Sequence, residues 1–283
     1  MPGWRKLGVI AGGGALPLAI ANHCAERGLA YFVARIAPFA DAALDRHPGV
    51  TLALGEVGAR IAALKGAGCD AITMIGVVTR PDLSNFAIDA RGAEVLPILL
   101  SAAREGDDSL LRALVAVFEA EGFRVVGAEE ALADLVAPAG ALGDHAPCAD
   151  HFADLAKAAR VAAAIGALDI GQGAVVCDGL VLAVEAQEGT DAMLARVAGL
   201  PENIRGNANK RRGVLVKRPK PQQERRVDLP VIGLATVENV AAAGLAGVAV
   251  EAGGALVMDR AAMIARANAL GLFVYGFTDR DLV

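Results

Sequence analysis

Residues Gly213 to Gly233, reading GVLVKRPKPQQERRVDLPVIG, contain the residue types best suited to phosphate chemistry. Together with the preceding residues, this stretch places nine Lys and Arg within Arg205–Arg226, beside a single acid, Glu224. Cationic side chains offset the charge of phosphate groups. Glu224 and Asp228 lie four residues apart among arginines, which keep carboxylates ionised and suited to bind Mg²⁺ or to position water beside a phosphate. A solvated charged loop with surface ion pairs would show the same pattern.

Three prolines, Pro219, Pro221 and Pro230, fix the backbone on both sides of these charges. Proline lacks the N–H that a helix or a central strand needs, so we expect a shaped loop that leaves a short strand at Val214–Val216. A basic run would also suit nucleic acid. However, the rest of the chain has a clear excess of acids and the run has no interleaved aromatic residues, so we expect no nucleic-acid partner.

The composition predicts a cytoplasmic protein with two ordinary domains or one large one. The chain has 283 residues, a formal net charge of −5 and 55% hydrophobic residues, mostly Ala, Val and Leu. Its apolar runs are too short to cross a bilayer, and the N-terminal residues lack the pattern of a signal peptide. The four cysteines are widely scattered, which favours buried reduced thiols over a disulfide framework.

The first residues predict an anion site at the start of a helix. Leu7–Ala11 is a buried-strand pattern, followed by Gly12, Gly13 and Gly14 and then by a helical pattern over Ala15–Arg27. Backbone N–H groups and the helix dipole favour a phosphate at such a turn. A tight turn that only lets the helix pack on the sheet is the alternative.

Further alternation of strands and helices predicts a layered α/β domain with three or four parallel strands. The second strand, Tyr31–Ile36, carries Arg35 where a dinucleotide-binding domain would have an acid, which disfavours NAD. The third strand, Ala71–Val78, leads into Arg80, at the end of the strand where open α/β sheets bind ligands. An exposed strand-end arginine without a ligand is an equal alternative.

The domain prediction is residues 1–133, a linker at 134–148 that is rich in Pro and Gly, and a second α/β domain at 149–283 that contains the basic central loop. Within the first domain, Asp107 or Asp108 is expected to cap a helix.

The second half begins with a hairpin signal. Val175–Cys177 and Leu180–Glu185 flank Asp178-Gly179, a pair that tolerates the positive φ angles of a tight turn. The acids Glu185, Glu188 and Asp191 then cluster at the end of a strand and the start of a helix. They could belong to a structural ion network or to a metal and phosphate site, and Thr190 or Asp191 could cap the next helix.

Several segments together resemble the UDP-2,3-diacylglucosamine pyrophosphatases of the LpxI type, and they run through essentially the whole chain. The segments are IAGGGALP (Ile10–Pro17), GVVTRP (Gly76–Pro81), DDSLLR (Asp107–Arg112), FEAEGFRVVG (Phe118–Gly127), DIGQGAVVCDGLVLAVEAQEGTDAML (Asp169–Leu194), GVLVKRPKPQQERRVDLPVIG (Gly213–Gly233) and AGLAGVAVEAG (Ala243–Gly253).

The resemblance implies an enzyme of lipid A biosynthesis that hydrolyses UDP-2,3-diacylglucosamine to UMP and 2,3-diacylglucosamine 1-phosphate (lipid X) with Mg²⁺. It also implies a Rossmann-like N-terminal domain with a parallel sheet and a second α/β domain with a mixed sheet, with the substrate between them.

The resemblance also carries residue roles. Asp228 matches the acid of the central loop, whereas Glu224 stands where the family more often has Asp. The expected catalytic residues are Asp228, Glu224 and Lys217; the expected substrate-binding residues are Gly12, Gly13, Gly14, Arg80, Lys220, Gln172 and Thr190; the expected metal ligands are Asp228, Glu188 and Asp191.

The acyl chains of the implied substrate suggest a peripheral contact with the cytoplasmic face of the inner membrane. An apolar groove with a cationic rim of Arg211, Arg212, Arg225 and Arg226 would suit it. A homodimer is a further expectation. The rival function is a nucleotide-binding regulator that keeps the glycine loop but does not turn over its ligand.

Overall fold

The computed structural model describes residues 3–79, 87–222 and 224–283. The chain is α/β and divides into two compact units, which confirms the predicted fold class. Unit 1 consists of Met1–Ala133 together with Glu224–Asp228, and unit 2 of Asp134–Gln223 together with Leu229–Val283. Five residues of the central loop, expected in the second domain, therefore group with unit 1.

Unit 1 is built on a five-stranded parallel sheet of order β3-β2-β1-β4-β5. Its strands are β1 (Leu7–Ala11), β2 (Tyr31–Ala37), β3 (Gly49–Ala53), β4 (Ala71–Ile75) and β5 (Arg124–Val125). Its helices are α1 (Ala15–Glu26), α2 (Val57–Gly66), α3 (Ala90–Ala103), α4 (Asp107–Ala120) and α5 (Ala128–Ala131), with a 3₁₀ turn at Ala42–Arg46.

The centre of this sheet is β1, which is buried over all five residues because helices cover both faces of a parallel sheet. Leu7 pairs with Tyr31 of β2 on one side and with Ala71 of β4 on the other. The predictions of β1 and α1 are confirmed. Strand β3 was not predicted, because its residues are exposed or half-buried and lack a continuous apolar run.

Unit 2 is built on a six-stranded mixed sheet of order β6-β13-β11-β9-β7-β8, with a two-stranded sheet of β10 and β12 beside it. Its strands are β6 (Gly140–Ala141), β7 (Gly173–Cys177), β8 (Leu180–Val184), β9 (Val214–Lys217), β10 (Val231–Ile232), β11 (Gly247–Glu251), β12 (Leu256–Val257) and β13 (Phe273–Phe277). Its helices are α6 (Ala149–Ala167), α7 (Gly189–Ala198), α8 (Glu202–Arg205), α9 (Leu234–Ala242) and α10 (Arg260–Ala269), followed by a 3₁₀ turn at Asp279–Leu282.

Alternate residues of the central strands serve two hydrophobic cores in unit 2. In β9, Val214 and Val216 belong to the core that includes residues of α6, whereas Leu215 belongs to the core that includes residues of α7, α9 and α10. This period of two is the pattern of a strand between two layers. The predicted linker is partly structural, because Gly140 and Ala141 pair with β13 at the edge of the sheet.

The predicted hairpin is confirmed, including its tight turn at Asp178 and Gly179. Asp178 and Gly179 have φ angles of 48° and 77°, as a type I′ turn requires. The buried carboxylate of Asp154 in α6 accepts hydrogen bonds from both backbone N–H groups, at 2.9 and 2.7 Å. A buried acid therefore fixes the turn that joins β7 to β8.

Three of the four cysteines fit the expectation of buried thiols. Cys24, Cys69 and Cys177 are buried, and burial raises the pKa of each thiol to about 11. Cys148 is exposed instead, because it precedes the first turn of α6. None of the helices in the described part of the chain combines the length and apolar character needed to cross a bilayer.

Candidate functional site

One end of the unit 2 sheet gathers several of the predicted site residues. We call it the Lys217 edge and define it by Gln172 before β7, Glu185 after β8 and Lys217 at the end of β9. Lys217 lies opposite Gly173 in the antiparallel pair of β9 and β7, which brings these ends together. Its side chain is buried, and Nζ donates to the carbonyl of Val231 at 3.2 Å. A buried ammonium at a strand end is suited to bind an anion.

Glu185 organises the Lys217 edge. It is only 6% exposed, and its Oε1 accepts a 2.5 Å hydrogen bond from the hydroxyl of Thr190. Its Oε2 accepts the backbone N–H of Gln172 at 3.4 Å. The prediction that Thr190 caps α7 is wrong, because α7 has no side-chain cap and the Thr190 hydroxyl donates to Glu185. The prediction that Thr190 binds substrate stays a prediction. Glu185 was predicted only as one of a cluster of acids at this strand end, and its bonds to Thr190 and Gln172 were not predicted.

Gln172 and Arg218 present buried polar atoms at this edge. In the part of the chain that the structure describes, Gln172 Oε1 and Arg218 Nε are buried and have no hydrogen-bond partner. The backbone N–H of Arg218 donates to the carbonyl of Gln172 at 3.0 Å, and its guanidinium pairs with Glu251 at 2.9 Å. Buried polar atoms without partners are rare in native proteins and are compatible with a ligand that completes them. Arg218 was not among the residues predicted from the sequence to form the site.

The residues after β9 are attached to the C-terminal end of α6. Lys220 forms an ion pair with Asp169, and both side chains are largely buried. Gln222 donates from Nε2 to the carbonyls of Gly166 and Ala167 at 3.1 and 3.3 Å. The proline-rich stretch is therefore a shaped loop, as predicted, and Lys220 has a carboxylate partner.

Two of the predicted metal ligands, Glu188 and Asp191, have other partners within unit 2. Glu188 pairs with Arg196. The pKa of the Glu188 carboxyl group is lowered by a hydrogen bond from its own backbone N–H and by Arg196. Asp191 accepts a 2.8 Å hydrogen bond from Asn239. Among residues 3–79, 87–222 and 224–283, no three His, Cys, Asp or Glu side chains are grouped so as to hold a metal ion.

The basic run before β9 is structural rather than a cationic rim. Arg205 donates to the carbonyls of Leu200 and Gly206 at 2.7 and 2.9 Å. Arg211 donates to the carbonyls of Ala241 and Leu270 at 2.9 and 3.1 Å, and Arg212 donates to the carbonyl of Asn203 at 2.8 Å and pairs with Asp178.

The predicted concentration of positive charge therefore separates into three places, one of which is Arg225 and Arg226 in the part of the loop that groups with unit 1. The run Arg205–Arg212 precedes β9, whereas Lys217 ends it, and four strand residues span roughly 13 Å. The rim expected from Arg211 and Arg212 is corrected accordingly, because backbone carbonyls and Asp178 already occupy these side chains.

The glycine loop of unit 1 is packed between two backbone segments. The N–H groups of Gly12 and Gly13 donate to the carbonyls of Ile75 and Val77 at 2.8 and 2.9 Å. A Cβ atom at Gly12 would lie 2.8 Å from the carbonyl oxygen of Val77, so this position requires glycine. The prediction that Gly12 and Gly13 bind phosphate through these N–H groups is therefore corrected.

Gly14 remains compatible with an anion site. It has a φ angle of 91° and directly precedes α1, which has no side-chain cap at its N-terminus. The second-strand residue Arg35 is structural, because its 8% exposed side chain donates to Thr51 and to the carbonyl of Leu44. Arg80, predicted to bind substrate, lies outside the described residues.

The second group of site residues is the segment Glu224–Asp228 of unit 1, which we call the Asp228 segment. Its first residue, Glu224, donates its backbone N–H to the buried carboxylate of Asp108 at 2.7 Å. Asp108 was expected to cap a helix, but α4 begins at Asp107 after Gly106, and the Asp108 side chain holds the Asp228 segment instead. Asp228 is half-buried within this segment.

A neighbouring acid, Glu129, has an unusual environment. Burial raises the pKa of its carboxyl group, and the charges of Glu130 and Glu224 raise it further. Its Oε2 is buried and has no hydrogen-bond partner in the described part of the chain. The carboxylate lies against Gly127, where a Cβ atom would be 2.1 Å from Oε1. Glu129 is therefore a carboxylate whose charged form is poorly stabilised.

Replacing Glu129 by Gln should stabilise the protein near neutral pH. The pKa of Glu129 in the folded protein lies above its unfolded value of about 4.5. Ionisation of Glu129 therefore destabilises the folded protein as the pH rises above about 4.5, whereas below about pH 4 the group is protonated in both states and this destabilisation vanishes. We expect Tm to rise by about 1–3 °C at pH 7.5 and to remain unchanged at pH 4. Glu130→Gln is the control, since its exposed pair with Arg124 contributes little. A lower Tm of Glu129→Gln at pH 7.5 would contradict the prediction.

Comparison with known proteins gives matches over both halves of the chain. Residues 6–135 match the family described as the LpxI N-terminal domain, and residues 138–275 match the LpxI C-terminal domain. The chain is also 58% identical over 277 residues to the UDP-2,3-diacylglucosamine pyrophosphatase LpxI of Caulobacter vibrioides. That alignment covers 98% of this chain and 99% of the relative.

Proposed function

Because the chain belongs to the LpxI family, we propose that it hydrolyses the diphosphate of UDP-2,3-diacylglucosamine in lipid A biosynthesis. Water adds across the P–O–P linkage, one P–O bond breaks, and the products are UMP and 2,3-diacylglucosamine 1-phosphate. The observation that carries this proposal is the 58% identity, over nearly the full length of both chains, to an enzyme named for this pyrophosphatase activity.

The Lys217 edge would bind the diphosphate. Lys217 is a buried cation at the end of β9, and Lys220 follows three residues later. Both would offset negative charge on the non-bridging oxygens, which increases as the P–O bond breaks. Gln172, with its buried amide oxygen, would accept a hydrogen bond from a hydroxyl or amide group of the substrate.

Asp228 would act on the attacking water. A carboxylate within hydrogen-bond reach of water orients one lone pair toward phosphorus and accepts the proton that the water loses. In this proposal the Asp228 segment of unit 1 and the Lys217 edge of unit 2 serve the same substrate molecule. Attack by water is favoured over a covalent intermediate because none of the four histidines lies in the central loop to activate a nucleophile.

Mg²⁺ would fit this site as a partner of the substrate. The ion often binds one or two carboxylates together with phosphate oxygens and keeps its remaining waters, so it does not need three protein ligands in one place. Asp228 is the proposed carboxylate ligand, because it is the acid of the central loop that matches the family's pattern. When bound, the ion would polarise phosphoryl oxygens.

The test is the release of UMP from UDP-2,3-diacylglucosamine by the purified chain, with Mg²⁺ and with EDTA. We expect Mg²⁺-dependent turnover, and a much lower rate on UDP-glucosamine, which lacks both acyl chains. A folded chain that binds the lipid nucleotide without releasing UMP would contradict the hydrolase proposal and favour a nucleotide-binding regulator.

Two expectations on partners remain proposals. The first is that the acyl chains of the substrate would bring the protein to the cytoplasmic face of the inner membrane. The cationic rim of Arg211 and Arg212 no longer supports this expectation. The second is that the protein forms a homodimer. Co-sedimentation with anionic vesicles and the molar mass in solution test these expectations directly.

A further inference from the structure

An ion network in unit 1 holds the Asp228 segment against α4. We call this network the α4 clamp; its members are Asp108, Arg112, Glu119, Glu224 and Arg226. Arg226 donates from Nε and Nη2 to the two carboxylate oxygens of Glu224 at 2.8 and 2.7 Å. It also donates from Nη1 to Glu119 of α4 at 2.7 Å. Such a two-pronged arginine–carboxylate pair fixes direction as well as distance.

The other half of the α4 clamp acts on the backbone. Asp108 accepts the backbone N–H of Glu224 at 2.7 Å through one carboxylate oxygen, and its other oxygen pairs with Arg112. Asp108 is only 4% exposed, so these bonds are shielded from water. Glu224 is thus held to α4 through its backbone and, by way of Arg226, through its side chain.

Glu224 passes this constraint directly to Asp228. The carbonyl of Glu224 accepts the N–H of Val227 at 3.1 Å and the N–H of Asp228 at 3.2 Å, which closes a tight turn. Val227 packs against the hydrophobic core of unit 1. The backbone of Asp228 is therefore hydrogen-bonded to Glu224, which is itself held to α4 through its backbone and its side chain.

The same contacts argue against acid–base work by Glu224 itself. Both of its carboxylate oxygens accept hydrogen bonds from Arg226, and this partner lowers the pKa of the carboxyl group. A group held ionised and engaged on both oxygens is poorly suited to transfer a proton. The earlier expectation of a catalytic Glu224 is therefore replaced by a role through its neighbours.

We propose that Glu224 and Arg226 are positioning residues, which set the place of Asp228 by clamping its segment to α4; this inference rests on the proposed function. Half-exposed ion pairs contribute little to overall stability. A displacement of about 1 Å in a reacting group can nevertheless cost 10²-fold in rate. Loss of the α4 clamp should therefore lower kcat strongly while Tm falls only slightly.

The experiment compares Arg226→Gln, Arg226→Lys and the parent chain. For Arg226→Gln we expect kcat of UMP release to fall about 10- to 100-fold, with KM within about threefold. Arg226→Lys keeps the charge but not the fork and should recover only part of that loss. Glu238→Gln is the matched control, because Glu238 also pairs with both prongs of an arginine, Arg266, at 2.6 and 3.1 Å. This control should keep the parent's kcat.

Hydrogen exchange of the Val227 and Asp228 amides separates this proposal from the function on which it rests. We expect both amides to exchange at least about 10-fold faster in Arg226→Gln than in the parent, because a loosened Glu224 no longer holds them. Unchanged exchange would overturn the proposal, as would a raised KM with unchanged kcat. If the parent releases no UMP, the proposed function fails, and the exchange rates still decide whether the α4 clamp orders the segment.

Discussion

Asp228→Asn should reduce the kcat of UMP release by about 10²- to 10⁴-fold while leaving the protein folded. The substitution preserves the shape of the side chain but removes the negative charge that accepts a proton from water or binds Mg²⁺. The hydrogen bond from the Asp228 N–H to Glu224 comes from the backbone and should survive. Steady-state UMP release at saturating substrate, with Tm measured alongside, checks the result.

Asp279→Asn is the control for this experiment, because Asp279 is an exposed acid in the last 3₁₀ turn. It should keep the activity of the parent. Normal turnover by Asp228→Asn would leave the enzyme assignment intact but move the catalytic acid to another residue. Glu188 and Asp191 would then be the next to test, despite their pairing with Arg196 and Asn239.

Lys217→Met should lower kcat/KM by about 10²- to 10³-fold, the cost of removing one donor that stabilises charge in a transition state. Methionine fills nearly the same buried volume, so we expect the fold to persist with a modest fall in Tm, because the carbonyl of Val231 loses its donor. Activity on UDP-2,3-diacylglucosamine and the melting curve are measured on the same preparation.

The matched control is Lys157→Met. Lys157 also belongs to unit 2 and donates to a backbone carbonyl, that of Gly179, at 2.5 Å. Loss of activity in both lysine variants would indicate a general effect on unit 2, whereas loss only in Lys217→Met supports a phosphate-binding role. A parent-like kcat/KM for Lys217→Met would remove Lys217 from the site.

The fold was predictable wherever a local pattern decides the structure. The apolar run of β1, the glycine turn and α1 follow from neighbouring residues, and so does the Asp178-Gly179 hairpin. The short strand β6 lies in the stretch predicted to be a linker, because two residues show no periodicity and their pairing depends on β13, more than 130 positions away.

The candidate site was predictable in composition but not in arrangement. The residues Lys217 and Asp228 were selected by type, yet charge alone did not reveal that Arg211 and Arg212 bond to backbone carbonyls and Asp178. The partner of Arg226 on α4, Glu119, is 107 positions away in the sequence. Contacts over such separations arise from the tertiary structure, and a single sequence does not display them.

The membership of the Asp228 segment in unit 1 has a consequence for any division of the gene. A break at the boundary between residues 133 and 134 would yield an N-terminal polypeptide without Glu224–Asp228, and so without the residues that meet Asp108 and Glu119. The C-terminal polypeptide would carry Asp228 but none of the helix that anchors it. Neither polypeptide would hold the complete α4 clamp, so both would have to be produced together for the segment to be anchored.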